Sequence, residues 1–147
     1  NRHHGYVKAL SEAGIPYDSS KVIWFHTEDR KIKPNSEIRS FINTGISLDA
    51  IACYNDEIAF GIYQTLTELG VRVPEDISIT GFDDSNLATA CPVRLTTVTH
   101  PKEKLGETAA ELLLELLEDP DYLNSPRKKV FIPELVIGDS CLDRNNK

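Results

Sequence analysis

The chain has 147 residues and a formal net charge of -7, with 23 acidic against 16 basic residues. That balance argues against nucleic-acid binding by these residues themselves, because phosphate neutralisation needs a clustered basic face. At 40% hydrophobic and 27% charged, the composition is that of a folded domain, and no apolar run approaches the roughly 18 residues of a membrane helix. Cys53, Cys91 and Cys141 are odd in number, widely spaced and include no CxxC pair. A disulfide framework or structural zinc is therefore not expected, and a reducing, cytoplasmic setting fits free thiols. The sequence holds no methionine and opens Asn1-Arg2 inside an apolar pattern. Residues 1–147 are thus expected to be a fragment of a longer protein, about the size of one lobe.

Residues 2–13 carry Tyr6, Ala9, Leu10 and Ala13 at helical spacing, closed by Gly14 and Ile15-Pro16. Lys21 to Phe25 (KVIWF) is predicted as a short buried strand from its β-branched and aromatic content. Residues 27–34 form a charged loop. Asn35-Ser36 then caps a helix with Ile38, Phe41 and Ile42 on one face, which stops at Thr44-Gly45. Asp49 to Tyr54 is the second expected strand. Asn55-Asp56-Glu57 opens a helix with Ile58, Ala59, Ile62, Leu66 and Leu69 inward, its acidic first turn facing the positive end of the helix dipole. Gly70 closes it, and Val73-Pro74-Glu75-Asp76 is a turn. Ile77 to Phe82 is the next strand, followed directly by Asp83-Asp84-Ser85-Asn86. Leu95 to Thr99 is a short extended run. Residues 101–118 form the clearest helix, with Leu105, Ala109, Leu112, Leu113 and Leu116 in a stripe and Pro120 at its end. Val130 to Ile137, interrupted by Pro133, reads as an edge strand. Strands alternating with helices across short loops predict an α/β fold, a doubly wound parallel sheet with helices on both faces.

In such a sheet, ligands bind beyond the carboxyl ends of the strands. The residues leaving the expected strands are Phe25-His26, Asn55-Asp56, Asp83-Asp84 and His100. A carboxylate accepts from adjacent hydroxyls, an amide donates and accepts, and an imidazole does either. That inventory suits a neutral polyhydroxylated ligand such as a sugar, with Phe25 against its C–H face. Each residue also has a plainer reading. Asn55 serves as a helix cap, Asp83 as a turn residue, His100 as a turn residue before proline, Arg2 as a solvated arginine, and Trp24 as core. The case for a site rests on the recurrence at strand ends.

Catalytic signatures are weak. There is no GxSxG, HExxH or glycine-rich phosphate loop. Asp83-Asp84 would need further carboxylates and a lysine at other strand ends for phosphoryl chemistry. His3 and His4 are adjacent on a helix, about 100° apart, and read as exposed rather than as a metal pair. Lys102, Lys104 and Arg127-Lys128-Lys129 are too dispersed for a nucleic-acid groove. No enzyme activity, metal or cofactor is expected.

Arg2-x-x-Gly5-Tyr6, DAIACYNDEIAFGIYQTL (49–66), GVRVPEDISITGFDDS (70–85), LTTVTHP (95–101) with Gly106, and PELVIGDS (133–140) occur in order over nearly the whole chain. Together they resemble the effector-binding core of the lactose-repressor/galactose-repressor family. The resemblance implies a periplasmic-binding-protein-like core of two lobes with the effector in the cleft between them. Residues 1–95 and 130–140 would form the C-terminal lobe, and 96–129 a crossover segment packed on an N-terminal lobe outside this chain. It also implies a sugar effector, a homodimer, and a DNA operator read by a separate N-terminal domain. Carried over by motif, the ligand contacts fall at Arg2, Asn55 and Asp83. His100 stands where the family usually has glutamine. Cys53 to Ile58, His100-Pro101 and Pro133-Glu134-Leu135 are most similar to arabinose-responsive members, as is Phe25 to Asp29. That implies L-arabinose, with His100 reading a hydroxyl, Phe25 against the ring, and a GntR-type head. The rival readings are a periplasmic sugar-binding protein of a transporter and an enzyme on the same scaffold.

Overall fold

A parallel strand–helix–strand unit lies at the centre of the chain. The computed structural model describes residues 2–119 and 128–143. In chain order the elements are α1 (Arg2–Glu12), α2 (Lys33–Asn43), β1 (Ala50–Ala52), α3 (Asp56–Glu68), β2 (Ser78–Thr80), α4 (Asn86–Ala90), β3 (Thr97–Val98), α5 (Lys102–Glu118) and β4 (Leu135–Val136). β1 and β2 pair in parallel with Ile51 opposite Ile79. Parallel bridges join Thr80 to Thr96 and Asp83 to Thr99. β3 then pairs antiparallel with β4. The chain is therefore α/β with parallel strands, but the ladders are shorter than the apolar runs suggest.

The core follows the sequence pattern. α3 buries Ile58, Ala59, Ile62 and Leu66 on one face, and these meet Ile38 of α2, Ile79 of β2, and Val73, Ile77, Ala88, Cys91 and Leu95. Full burial of a side chain of the Ile or Leu class contributes about 1.5–3 kcal/mol, so this face anchors the helix. Three helices stop where glycine permits a left-handed residue. Gly14, Gly45 and Gly70 have φ of 69°, 73° and 74°, and in each case the next residue's N–H donates back across the last turn, Ile15 to Leu10 O, Ile46 to Phe41 O and Val71 to Leu66 O.

Several expectations are corrected. Residues 22–26 form no ladder. They follow a 3-10 turn at Ser19–Lys21 and run as irregular chain, with Ile23 and Phe25 half-buried against the core. β-branched content there serves packing, not pairing. Trp24 is not core: it is 63% exposed and meets the His3 ring edge-on at 4.9 Å. His3 is half-buried, also against Tyr17, while His4 is exposed. α2 begins two residues before Asn35, because Pro34 occupies the first turn, where its missing N–H costs nothing. The Asn35 amide instead donates to Lys31 O. The short α4 was not anticipated; Ser85 caps it by accepting from the Leu87 N–H. The 130–137 strand contracts to two residues after Pro133. α5 has no buried residue, and Leu113, Leu114 and Leu117 are more than half exposed. Pro120 and Arg127 lie outside the described residues.

Distant segments close onto β2. Ser140, fully buried, donates through its hydroxyl to Ile79 O and accepts from the Thr96 N–H at 2.8 Å. Gly138 lies so close to the Arg94 and Leu95 backbone that a Cβ would overlap it. Asp56, 1% exposed, accepts from the Ser85 N–H at 2.7 Å and from the Thr97 hydroxyl at 2.6 Å. A Cβ at Gly81 would collide with that carboxylate.

Removing a buried acceptor leaves its donors unsatisfied, at about 1–3 kcal/mol each. Asp56→Ala is therefore expected to lower unfolding stability by about 2–5 kcal/mol, and Gly81→Ala to be destabilising through the same contact. Shifts of the denaturant midpoint measure both.

Candidate functional site

The carboxyl ends of β1 and β2 deliver two aromatic–polar pairs side by side, Tyr54-Asn55 and Phe82-Asp83. The parallel pairing continues past the strands: Cys53 donates to Thr80 O, and the Asp56 N–H to Phe82 O at 3.0 Å. Register therefore holds both pairs at one edge. Arg2, at the start of α1, reaches this edge from the far end of the sequence. Its Nη1 donates to Tyr54 O and its Nη2 to Asp83 Oδ1 at 3.1 Å. The guanidinium carbon lies over the Phe82 ring, 3.8 Å from its centroid, and over the Tyr54 ring at 4.4 Å. The Arg2 and Asp83 side chains are 33% and 27% exposed, half-buried and open to a partner.

Backbone strain marks the same place. Asp83 and Asp84 have φ of 98° and 43°, a region that costs a non-glycine residue about 1–3 kcal/mol and persists where surroundings enforce it. Here the enforcers are the Asp83 N–H bonded to Val98 O and the Asp84 N–H on the Thr97 hydroxyl. Both come from β3, which Asp56 holds through Thr97.

The structure brings together Arg2 and Asp83 directly, with Asn55 beside the Tyr54 carbonyl. Asn55 caps α3 by accepting from the Ile58 N–H at 3.0 Å, so its plainer reading holds. Its amide nitrogen bears no hydrogen bond among the described residues. His100 is exposed, one residue beyond the Asp83–Thr99 bridge. With Phe82, Leu105 and Phe131 it lines a cleft of about 320 Å³. Phe25 packs on the core, and no described contact joins it to Arg2 or Asp83. Tyr54 and Phe82 were missed. The signal was present, since an aromatic directly precedes the polar residue at each of the three expected strand ends Phe25-His26, Tyr54-Asn55 and Phe82-Asp83.

Beside the first strand end, Glu57 pairs with Arg30 at 3.3 Å and Lys31 at 3.6 Å, tying the segment after Phe25 to α3. No group of three or more His, Cys, Asp or Glu side chains among the described residues is arranged to hold a metal ion. Two of the cysteines, Cys53 and Cys91, are held as protonated thiols. Burial pushes the Cys53 thiol up to about 12, and the nearby Asp56 charge adds to this. Burial also raises Cys91.

The chain therefore offers a parallel α/β edge at which a half-buried Arg–Asp pair meets two aromatic rings. The chain belongs to the periplasmic binding protein-like domain family, whose match runs over residues 1–141, and is of the kind that binds effectors in LacI/GalR-type repressors. It is 34% identical to the arabinose metabolism transcriptional repressor of Halalkalibacterium halodurans, over 99% of this chain and 40% of that protein. It is 37% identical to the transcriptional repressor PurR of Photobacterium profundum, over 98% of this chain and 42% of that protein. Among solved structures, it resembles a LacI family transcriptional regulator from Enterococcus faecium with bound ribose. The TM-score is 0.72 at 30% identity, over 95% of this chain and 50% of that one. The chain thus spans about 40% of the length of the curated relatives it matches.

The folded state keeps the Cys53 thiol protonated while the unfolded thiol ionises near pH 9, so its contribution to stability is full below that pH and lost as pH rises toward about 12. Alkylation near pH ~8.5 is expected to label native Cys53 far more slowly than the unfolded chain, read by mass spectrometry of its peptide.

Proposed function

We propose that this chain is the C-terminal lobe, with a crossover segment, of the effector-binding core of a sugar-responsive transcriptional repressor, and that L-arabinose is the effector. The observation that carries the reading is the Arg2–Asp83 pair at the carboxyl edge of β1 and β2. A charge-balanced, half-buried pair presents donors and an acceptor to a neutral diol without leaving a net charge to solvate. Asn55 orients a further hydroxyl, His100 reads another from the cleft rim, and Phe25 faces the ring. Residues 96–129 cross to an N-terminal lobe that completes the cleft, within a doubly wound two-lobe core. Arabinose is supported by the Halalkalibacterium halodurans relative, and ribose is the competing possibility, given the Enterococcus faecium structure with bound ribose.

The intact repressor acts in the cytoplasm as a homodimer. It binds operator DNA through a separate N-terminal domain and is not an enzyme. Sugar binding shifts it between DNA-bound and free states. Two-fold operators are read by two-fold proteins, which supports the dimer.

Calorimetry on the full-length protein tests the assignment with arabinose, ribose and galactose. Arabinose is expected to bind at least about ten-fold more tightly than the others, a difference of ~1.4 kcal/mol. Asp83→Asn and Arg2→Ala are each expected to weaken binding by about ten-fold or more, since a hydrogen bond to a charged group contributes ~1.5–3 kcal/mol. Operator binding without sugar should be unchanged. Tighter ribose binding overturns the arabinose assignment; unaltered affinity in Asp83→Asn overturns the site.

A further inference from the structure

We propose that Tyr54 and Phe82 are positioning residues that fix the Arg2 guanidinium before ligand arrives, an inference that rests on the sugar-binding reading of the Arg2–Asp83 pair. The guanidinium lies over both rings at 3.8 and 4.4 Å. A cation over an aromatic face is attracted by the ring quadrupole, and more so once water is excluded. The rings lie against the guanidinium carbon, and the five N–H groups of an arginine all point outward in the guanidinium plane, so its hydrogen bonds are made at its edge. Two of its five N–H groups are committed, to Tyr54 O and Asp83 Oδ1. Three donors remain, and Asp83, held through Oδ1, has an Oδ2 that accepts nothing among the described residues. The juxtaposition fits two adjacent hydroxyls on a ring, one accepting from Arg2 and one donating to Asp83.

A free arginine side chain must lose rotamer freedom when it binds. Here stacking has already removed that freedom, so affinity depends on two residues that need not touch the sugar. Tyr54 is 60% exposed and contributes its carbonyl as well as its ring to Arg2. Substituting the side chain leaves that backbone hydrogen bond in place and isolates the ring. Exposure also means the change costs little stability.

Two readouts on the full-length protein test this. In the ligand-free state, the Arg2 guanidinium N–H signals, assigned by their loss in Arg2→Lys, are expected to be ring-shifted and slow to rotate. Tyr54→Ala should release them and weaken arabinose binding by about ten-fold, at an unchanged thermal midpoint, and Tyr54→Phe should restore both. Phe82→Leu is the second variant. In an Arg2→Ala background, Tyr54→Ala should add less than about a two-fold change, because the ring acts through Arg2. A mobile Arg2 in the wild type, wild-type affinity in Tyr54→Ala, or full additivity with Arg2→Ala overturns the proposal. If no sugar binds the wild type, the functional reading fails, while the Arg2 signals still decide whether the rings hold it.

Discussion

The buried carboxylate of Asp56 is the constraint on which the rest of this structure depends. It sits on the first turn of α3, directly after the β1 strand end, and takes the Ser85 N–H and the Thr97 hydroxyl. Those two donors belong to the loop after β2 and to β3. One side chain therefore ties the segments that follow β1 and β2 to β3. The absence of a Cβ at Gly81 makes room for it. A charge buried without partners would be prohibitive. With two donors and the positive end of a helix it becomes a fixed point, and the strained Asp83-Asp84 backbone is held against it.

Much of this was legible in the sequence, and the reasons differ by element. α3 was clear because Ile58, Ala59, Ile62 and Leu66 repeat at helical spacing between an N-capping Asn55 and Gly70. β2 was clear because its apolar run is bounded by a turn and by Asp83. KVIWF was misread because composition cannot separate an unpaired extended segment from a ladder strand; what decides is a neighbour with free backbone groups, and none among the described residues pairs with it. Trp24 was misread for the same reason, since its side of the chain turned out to face His3 and solvent. The start of α2 was displaced because proline in a first turn competes with a side-chain cap two residues later.

The site was half legible. Asp83 and Asn55 could be named because polar residues ending parallel strands converge by topology alone. Arg2 could be named only by family resemblance, since 81 positions separate it from Asp83. Asp56 was named as a strand-end and first-turn residue, but its buried bridging role was not legible, because a carboxylate beside a capping Asn reads as a dipole partner and its burial is a product of tertiary closure. Tyr54 and Phe82 escaped because each aromatic was read as the last apolar residue of a strand rather than as the first residue of a site. What the sequence could not contain was the distance between them, which comes from the pairing of β1 with β2.

The placement of Ser140 bears on how this lobe comes into being. The hydroxyl that bonds Ile79 O, and the Gly138 backbone pressed on Leu95, arrive from 61 and about 43 positions further along the chain. On a translating ribosome, β1, α3 and β2 emerge first, with the buried polar groups of β2 still facing water. Synthesis must pass residue 141 before the sheet can acquire its last partner. A nascent chain halted short of that point would expose the Ile79 edge, a site where a chaperone or another unfinished chain can pair with it.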